Sequence, residues 1–407
     1  MAASAASASD PLAAVAKGDL CAGCGGCAGL FPQAIRMRMQ APGYLRPEQV
    51  APLPPKADTE IAAICPGLGQ SVEAQGRTDD PLWGPWRAAW RGWSTDGGQR
   101  HRGASGGGLT ALLTHLLRAG VVQAVVQNAP DPADPLANRT VLSEDPATFC
   151  STAGSRYAPS APLEALPDIL ADGRRVAFVG KPCDAAALAA IRARNPEVAR
   201  AVPVILSFFC AGVPSQSGAR EVLAALEVEE AQVASFRYRG NGWPGHATAR
   251  MKDGTEASMT YHESWGGILS RHVQHRCKIC ADGTGMAADL VCADAWEVDA
   301  KGYPLFDERP GESLILARTV LGEQIARGAA AAGRLDLAPF DMDTLAAIQP
   351  GQRERRRALR ARLAALRLLR RPVPAYRGLH LRAVARQNTL RRNLRNFLGT
   401  VRRGLRR

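Results

Sequence analysis

The chain has 407 residues, of which 46% are hydrophobic and 22% charged, a balance typical of a soluble globular protein with two or three domains. No apolar run approaches the ~20 residues that span a bilayer, which excludes a transmembrane helix. The formal net charge of +13 comes from residues 351–407, which hold 19 arginines and one acid, Glu354; the remainder holds 32 basic and 37 acidic residues.

The sequence of residues 1–20 predicts a disordered N-terminal arm. They lack a basic segment followed by a continuous apolar one, so they do not resemble a signal peptide. The expected location is therefore the cytoplasm. Clustered thiols in that reducing compartment bind metal more often than they form disulfides, which bears on the ten cysteines of this chain.

Three cysteines at a spacing of three residues open a module predicted at residues 21–80, in the stretch CAGCGGCAGL. Three thiolates so spaced suit three corners of a [4Fe–4S] cluster, whereas tetrahedral zinc usually takes two separated C-x2-C pairs. The next cysteine is followed by proline, as in ferredoxins, and is the simplest fourth ligand. The predicted ligands are Cys21, Cys24, Cys27 and Cys65, with structural zinc as the alternative.

The middle of the chain, residues 81–310, predicts alternating strands and helices. Four tryptophans at residues 83–93 have spacings of 3, 4 and 3, which indicate a packed helix face or a hydrophobic lid. SGGGLTALLTHLL predicts an amphipathic helix, while VVQAVV, VAFVG and VPVILSF predict strands. The pattern indicates a parallel or mixed sheet. Residues 235–265 predict a β-hairpin and loop, and the chain after about residue 312 predicts helix.

Four more cysteines predict a second cluster. Cys183 and Cys210 follow predicted strands, and parallel sheets bind ligands beyond the carboxyl ends of their strands. Cys277 and Cys280 form a C-x2-C pair that needs two further ligands. We therefore expect Cys183, Cys210, Cys277 and Cys280 to hold a second [4Fe–4S] cluster. The alternative is that the two strand-end cysteines only pack, as Cys292 is expected to do.

Six segments in this order resemble the coenzyme F420 hydrogenase/dehydrogenase beta-subunit family, whose relatives include 7-hydroxymethyl chlorophyll a reductase and a ferredoxin-dependent divinyl chlorophyllide 8-vinyl reductase. The resemblance runs from about Cys21 to Trp296. The segments are the cysteine comb with its later Cys-Pro, SGGGLTALLTHLL, AGSRYAPS, GKPCD, FFCAGVPS, and RCKIC followed by ADLVCADAW.

The resemblance implies FAD bound without a GxGxxG fingerprint, with two clusters relaying electrons to or from it. Free N–H groups at the start of the helix opened by SGGG suit a pyrophosphate. In the segment that matches the family's flavin loop, Arg156 suits a phosphate and Tyr157 suits a ring. The implied cofactor contacts are Ser105, Gly106, Gly107, Gly108, Gly154, Ser155, Arg156, Tyr157 and Lys181.

Some features depart from the family. Lys181 stands where threonine is common, and a positive charge there would favour reduced, more negative states of a cofactor. The segments GNGWPG and YHESWGG match none of the chlorophyll-pathway enzymes, so the substrate is not predicted. Hydride transfer from a flavin also needs a proton source. The candidates are His262, Glu263 and Asp184, with His246 and Tyr261 as further ones.

Residues 311–371 predict a helical extension, and residues 372–407 predict an arginine-rich amphipathic tail outside the resemblance. Apolar residues recur there every three or four positions, among them Leu390, Leu394, Leu398, Val401 and Leu405. Such a helix suits an anionic membrane surface or an acidic partner better than nucleic acid, because no nucleic-acid-binding motif accompanies it. The alternative is a solvated extension.

These patterns together predict an α/β iron–sulfur flavoprotein oxidoreductase with some α+β elements. A ferredoxin or similar donor would supply two [4Fe–4S] clusters, which would reduce FAD and then a small organic substrate. The alternative within this class is a deazaflavin (coenzyme F420)-linked electron-transfer subunit of a larger complex. An alternative from another class is a zinc-containing interaction protein on membranes or nucleic acid.

Overall fold

The computed structural model describes residues 10–299, 305 and 307–405. Its strands are β1 (Ile35–Gln40), β2 (Tyr44–Gln49), β3 (Gly69–Ser71), β4 (Thr78–Asp80), β5 (Gly84–Trp86), β6 (Ala88–Ser94), β7 (Ala124–Pro130), β8 (Asn138–Ser143), β9 (Val176–Gly180), β10 (Val204–Phe208), β11 (Val233–Arg237), β12 (His246–Met251), β13 (Glu256–Thr260), β14 (Leu290–Asp294), β15 (Ser313–Ala317), β16 (Leu335–Pro339) and β17 (Ala375–Arg377).

The α-helices of the same residues are α1 (Pro11–Gly18), α2 (Gly26–Leu30), α3 (Ala57–Ile64), α4 (Gly97–Arg102), α5 (Gly108–Arg118), α6 (Pro146–Ser151), α7 (Leu166–Asp172), α8 (Pro182–Arg192), α9 (Pro196–Ala201), α10 (Gln216–Ala225), α11 (His275–Lys278), α12 (Val320–Ala331), α13 (Leu345–Ile348), α14 (Pro350–Leu368), α15 (Leu381–Arg386) and α16 (Leu390–Leu405). None of them combines the length and the apolar character that crossing a membrane requires.

An eight-stranded mixed sheet forms the centre of the molecule, in the order β16-β6-β15-β14-β10-β9-β7-β8. The four inner strands β14, β10, β9 and β7 run parallel. The strands on either side are antiparallel to their neighbours. The predicted parallel or mixed sheet is confirmed, because strand and helix alternate through the segments VAFVG and VPVILSF as parallel pairing requires.

Helices cover both faces of this sheet, which explains why its inner strands are almost wholly apolar. On one face Phe178 and Ile205 pack against Leu188 of α8. On the other face Leu206 packs in one cluster with Leu112 of α5 and Ile325 of α12. The carboxyl ends of the parallel strands and the N-termini of α5 and α8 therefore share one edge of the sheet, which we call the carboxyl edge.

Four smaller sheets surround this core in the described residues, and one of them is the antiparallel pair of β4 and β5. β1 and β2 form an antiparallel hairpin beside the cysteine comb. β12 and β13 form the β-hairpin predicted within residues 235–265, and β11 adds a third antiparallel strand to it. β17 pairs in parallel with β3, which begins at Gly69 shortly after Cys65, so residues 375–377 belong to the folded body.

Three expectations about elements were wrong. The helix alternative for the tryptophan segment was wrong, because cross-strand pairing of β6 with β15 and β16 outweighs the helical spacing; its tryptophans still pack against the core. The stretch after residue 312 is not helical throughout, since it supplies β15 and β16 to the central sheet. Residues 11–18 form helix α1, capped by Asp10, instead of a disordered arm; residues 1–9 lie outside the described part.

Replacement of Phe178 by alanine tests the central packing. Phe178 is 0% exposed in β9, so its loss leaves a cavity beneath α8 and should reduce the free energy of unfolding by about 3–5 kcal/mol. Chemical denaturation measures this loss. Val320→Ala, at a position 53% exposed, is the control and should change stability by less than about 0.5 kcal/mol. A Phe178→Ala loss no greater than that of the control would contradict the assignment.

Candidate metal and cofactor centre

The cysteine comb lies in a turn that only glycine permits. Gly23 and Gly25 adopt φ values of +74° and +81°, in the left-handed region, and a side chain at Gly25 would meet Glu164 and Ala161. Cys65 follows α3 as its C-terminal cap. The comb at residues 21–27 and the segment that carries Cys65 thus approach the same place from two parts of the chain.

The four thiols of this first group lie near one another. Burial, with a smaller contribution from the Cys65 thiol, raises the pKa of Cys21 to about 11 and that of Cys27 to about 12. Burial likewise raises the pKa of Cys24, with Cys65 and Cys27 among the contributors. The structure therefore brings together Cys21, Cys24, Cys27 and Cys65, as predicted from their spacing.

The second group assembles at the carboxyl edge. Cys183 is the second residue of α8, and Cys210 lies two residues after β10. Burial raises the pKa of Cys210 to about 12, and the thiols of Cys277 and Cys280 are near enough to contribute. Cys183 interacts with Cys210 and also with Cys24 of the first group. The two cysteine groups are therefore neighbours.

The thiols lie in the same region, but they are not arranged as the ligands of a single metal ion. Within residues 10–299, 305 and 307–405, no set of three or more histidine, cysteine or acidic side chains meets the spacing of such ligands. Cys150 and Cys292, the two cysteines left over, are buried elsewhere in the core around α5.

Helix α14 supports the second group through its polar side chains, which the sequence did not lead us to expect. Arg355 donates to the carbonyl oxygens of Cys210, at 2.7 Å, and Ala211, at 3.0 Å. Gln352 donates to the same Cys210 oxygen at 3.0 Å. Arg356 and Arg362 donate to the carbonyls of residues 281 and 278, each at 2.7 Å. The arginine-rich segment is therefore partly a component of the site.

Arg276 is a buried cation between the two groups. Its side chain is among the largest fully buried ones, and Nη2 donates to the Pro66 carbonyl at 2.6 Å. The Nε and Nη1 atoms are buried without a hydrogen-bond partner. Burial lowers the pKa of Arg276, but Tyr376 and the thiols of Cys280 and Cys183 raise it overall, so the guanidinium stays charged. An uncompensated buried cation needs a negative partner.

The glycine turn before α5 lies at the carboxyl edge. Gly106 and Gly107 have φ values of +69° and +67°, and a side chain on either would strike the main chain of Gly311 or Gln99. The Ser105 hydroxyl donates to the carbonyls of residues 293 and 312. The turn is thus fixed by packing, and it aims the first N–H groups of α5 at this edge; the serine hydroxyl is already occupied.

The segment Gly154–Tyr157 meets this turn through loop 239–245. Ser155 pairs with Arg239 through a main-chain hydrogen bond of 3.1 Å. Arg156 donates to Asn138 and to the carbonyls of Phe236, Pro135 and Ala137, so its guanidinium holds β8 and β11 together. Tyr157 packs on Trp265 with ring centroids 4.7 Å apart. These contacts leave Arg156 little capacity for a phosphate.

The Lys181 charge is paired. Its Nζ lies 2.8 Å from Asp184 and 2.7 Å from the Ser160 hydroxyl, and both charged side chains are buried at the start of α8. Asp184 also accepts from the Lys181 main-chain N–H at 2.9 Å. Asp184 thus caps a helix and neutralises Lys181, which is a better account of it than a proton donor. The expected isolated positive charge is offset.

The two other proton-donor candidates lie on the surface. Glu263 accepts from the N–H and hydroxyl of Thr260, at 2.9 and 2.7 Å, which caps the π-helical turn His262–Ile268. His262 and His246 are exposed. Tyr261, in contrast, reaches the carboxyl edge, where its ring stacks on Trp296 with centroids 6.2 Å apart.

Sequence reasoning missed a buried ion pair beside Tyr261. Arg239 binds Asp294 in a bidentate pair, at 2.9 and 2.7 Å, at the end of β14. The Trp243 indole N–H donates to the same carboxylate, and its ring lies 4.6 Å from that of Trp296. The Arg239 guanidinium in turn covers the rings of Tyr261 and Trp296. The unusual segment GNGWPG, which supplies Trp243, was the one signal in the sequence.

Comparison with known proteins gives consistent matches. Residues 89–167 match a family model described as the N-terminal part of the coenzyme F420 hydrogenase/dehydrogenase beta subunit. Residues 173–343 match the model for the C terminus of the same beta subunit. Together the two ranges span well over half of the chain. They exclude the cysteine comb and α14, which stand at either end of the matched region.

A solved structure is also similar to this chain. It is a structure of the F420-reducing [NiFe] hydrogenase complex from Methanosarcina barkeri derivatized with xenon. The match has a TM-score of 0.54 and 19% sequence identity, and it covers 68% of this chain and 91% of the other. At that identity the likeness shows a shared fold.

Two truncations test where the C-terminal segment stops being part of the site. Deletion of residues 390–407 removes only α16 and should leave the thermal unfolding temperature of the rest nearly unchanged. Deletion of residues 372–407 also removes β17 and Tyr376, whose hydroxyl donates to the Ile279 carbonyl at 2.8 Å. We expect the longer deletion to lower the unfolding temperature by several degrees. Equal behaviour of the two truncations would contradict this boundary.

Proposed function

Since the chain belongs to the coenzyme F420 hydrogenase/dehydrogenase beta-subunit family, we propose that it is a deazaflavin-linked electron-transfer subunit that carries two [4Fe–4S] clusters and FAD. The observation that carries the proposal is the assembly of eight cysteines into two adjoining groups around the buried Arg276. The chain is related to oxidoreductases of the hydrogenase type, and a redox role follows from that family.

The deazaflavin-linked role has more support than reduction of an unidentified organic substrate. Both matched family models carry the name of coenzyme F420 enzymes, and the similar solved structure is part of an F420-reducing complex. No contact in the described residues identifies an organic substrate, and the surface positions of His262 and Glu263 remove two predicted proton donors from the carboxyl edge. We therefore favour a partner subunit or protein as the electron source or acceptor.

The cysteine groups suit iron–sulfur clusters on two physical grounds. Thiolates carry negative charge, and a cluster bound by four of them would supply the anionic partner that the unpaired atoms of Arg276 lack. The C-x2-C-x2-C spacing of the comb also favours a cubane cluster over a single tetrahedral zinc ion. The residues that would hold the clusters are the two sets predicted from the sequence: Cys21, Cys24, Cys27 and Cys65, and Cys183, Cys210, Cys277 and Cys280.

The carboxyl edge suits a flavin less completely. The first N–H groups of α5 and the turn of Gly106 and Gly107 are available to a phosphate, whereas Ser105 and Arg156 are occupied by contacts within the chain. The Asn128 Oδ1 atom at the end of β7 is buried without a partner and can accept a hydrogen bond from a bound group. Tyr157 and Gly154 complete the residues that we assign to FAD.

The residues of this chain would mainly position and insulate the cofactors. Clusters held by these cysteines would supply one-electron transfer, and FAD would supply exchange of one or two electrons. Arg276 stabilises negative charge between the cysteine groups, and α14 fixes the loop of Cys210 by arginine hydrogen bonds. The Cys24 thiol lies near enough to Cys183 to contribute to the raised pKa of Cys183, so the two groups are neighbours, which suits stepwise transfer.

The cofactor content of anaerobically purified protein tests the proposal. Two cubane clusters require about eight iron atoms per chain. Cys277→Ala removes one ligand and should lower this to about four, with FAD and the other cluster retained. Reduction of coenzyme F420 by the loaded protein with an artificial donor, followed by absorbance, tests the deazaflavin link.

Cys292→Ala is the matched control, because Cys292 lies in β14 within the core and should keep all of the iron. Unchanged iron in Cys277→Ala would overturn the second ligand set. Colourless protein that contains zinc would overturn the proposal as a whole.

Arg276 offers a separate test of its charge. Arg276→Met removes a buried positive charge beside the thiolates, so adding an electron to a neighbouring cluster becomes less favourable and the midpoint potential should fall. Potentiometric titration followed by electron paramagnetic resonance measures it. Arg276→Lys keeps the positive charge, so its midpoint potential should stay close to that of the wild type. A Met variant that retains iron and has the wild-type potential would show that Arg276 has only a packing role.

A further inference from the structure

Helix α16 packs on the protein with its polar face. Thr400 is its one buried residue among those described. Asn393 donates to the Ala385 carbonyl at 3.1 Å, and Gly404 closely approaches Leu369 of α14. Arg392 lies 3.5 Å from Glu354 near the start of α14, so the two helices run side by side in the same direction. The intramolecular contacts of α16 thus use small and polar side chains.

The leucines of α16 face outward as a consequence. The exposed fractions are 88% for Leu390, 59% for Leu394, 54% for Leu398 and 73% for Leu405. Their spacing, with Val401 between, places them on one face of the helix. A contiguous apolar face of this kind on a soluble chain marks an interaction surface. The arrangement is the reverse of an ordinary surface helix, which buries its apolar face.

Positive charge flanks this apolar face. Arg391, Arg395 and Arg402 are exposed, and residues 355–407 contain no aspartate or glutamate. An exposed leucine face bordered by arginines suits the boundary between headgroups and acyl chains of an anionic membrane, where the leucines enter and the arginines meet phosphates. We propose that α16 docks the protein on anionic phospholipid, lying in the plane of the membrane surface over its length of about 24 Å.

Two other occupants fit this surface less well. A second copy of the chain would bring its own arginine-flanked helix against this one, and like charges would oppose the contact. An acidic protein would satisfy the arginines, but it would need a long apolar groove to cover four leucines as well. A lipid surface satisfies both features at once. This inference is independent of the cofactors, since the contacts of α16 involve none of the cysteine loops.

Vesicle binding of the full chain tests the proposal. The protein is mixed with vesicles of phosphatidylcholine alone or with 30% phosphatidylglycerol, and bound protein is measured by flotation at about 0.1 M salt, where screening is moderate. We expect binding to the anionic vesicles only, weakened by higher salt. Replacement of Leu398 by tryptophan should give fluorescence that shifts to the blue and is quenched by brominated acyl chains when vesicles are added.

The variants separate the apolar from the charged contribution. Leu394→Glu with Leu398→Glu should lower the partition coefficient about tenfold or more, because two residues that enter the membrane become charged. Arg391→Gln with Arg395→Gln should lower it about fivefold for each charge. The matched control is Met39→Glu with Val320→Glu, which adds the same charges at exposed apolar positions in β1 and α12 and should bind as wild type.

The remaining outcomes all overturn the proposal. Absence of binding to either vesicle overturns it, as does binding that the glutamates do not reduce, which would indicate a purely electrostatic surface for an acidic partner. A dimer seen by light scattering that the glutamates dissociate, without vesicle binding, would assign the face to a second copy. Unchanged iron content in the glutamate variants separates every one of these results from a failure of the proposed redox function.

Discussion

The satisfaction of main-chain carbonyl groups in the cysteine loops is the constraint on which the candidate centre depends. Cysteines from five separate segments meet at one place, and the main chain at Cys210 and Cys280 is neither helix nor strand. A buried carbonyl without a partner costs about 1–3 kcal/mol. Arginine side chains supply the missing donors: Arg355 at Cys210 and Arg276 at Pro66. Arginine suits this task because one rigid group reaches two carbonyls at once.

The central fold could be predicted where local pattern and global pairing agree. VAFVG and VPVILSF are short apolar runs followed by helices, and only a parallel sheet covered on both faces uses such runs. The tryptophan segment misled because its 3–4 spacing also fits a helix; what decides its structure is pairing with β15 and β16, more than 200 residues away. No local pattern carries that information.

The candidate site was likewise predictable from the sequence only in part. The eight cysteines that we propose as ligands could be chosen from spacing and strand-end position, because thiols in such numbers have few other uses. Arg276 could not be distinguished from any other basic residue, since its role comes from burial beside Pro66 and Cys280. Lys181 and Asp184 show the opposite error. Both were conspicuous in the GKPCD turn, yet they neutralise each other at a helix start.

The arginine-rich segment shows how one composition serves two physical purposes. Arg355 and Arg356 of α14 point inward, where their guanidinium groups donate hydrogen bonds to carbonyl groups of buried loops. Arg391 and Arg395 of α16 remain in solvent beside exposed leucines. The amphipathic repeat identifies α16 as a helix, but it does not say which face meets the body of the protein. That choice follows from small and polar residues such as Gly404 and Asn393, which let α16 approach α14 closely and so leave the leucines for another surface.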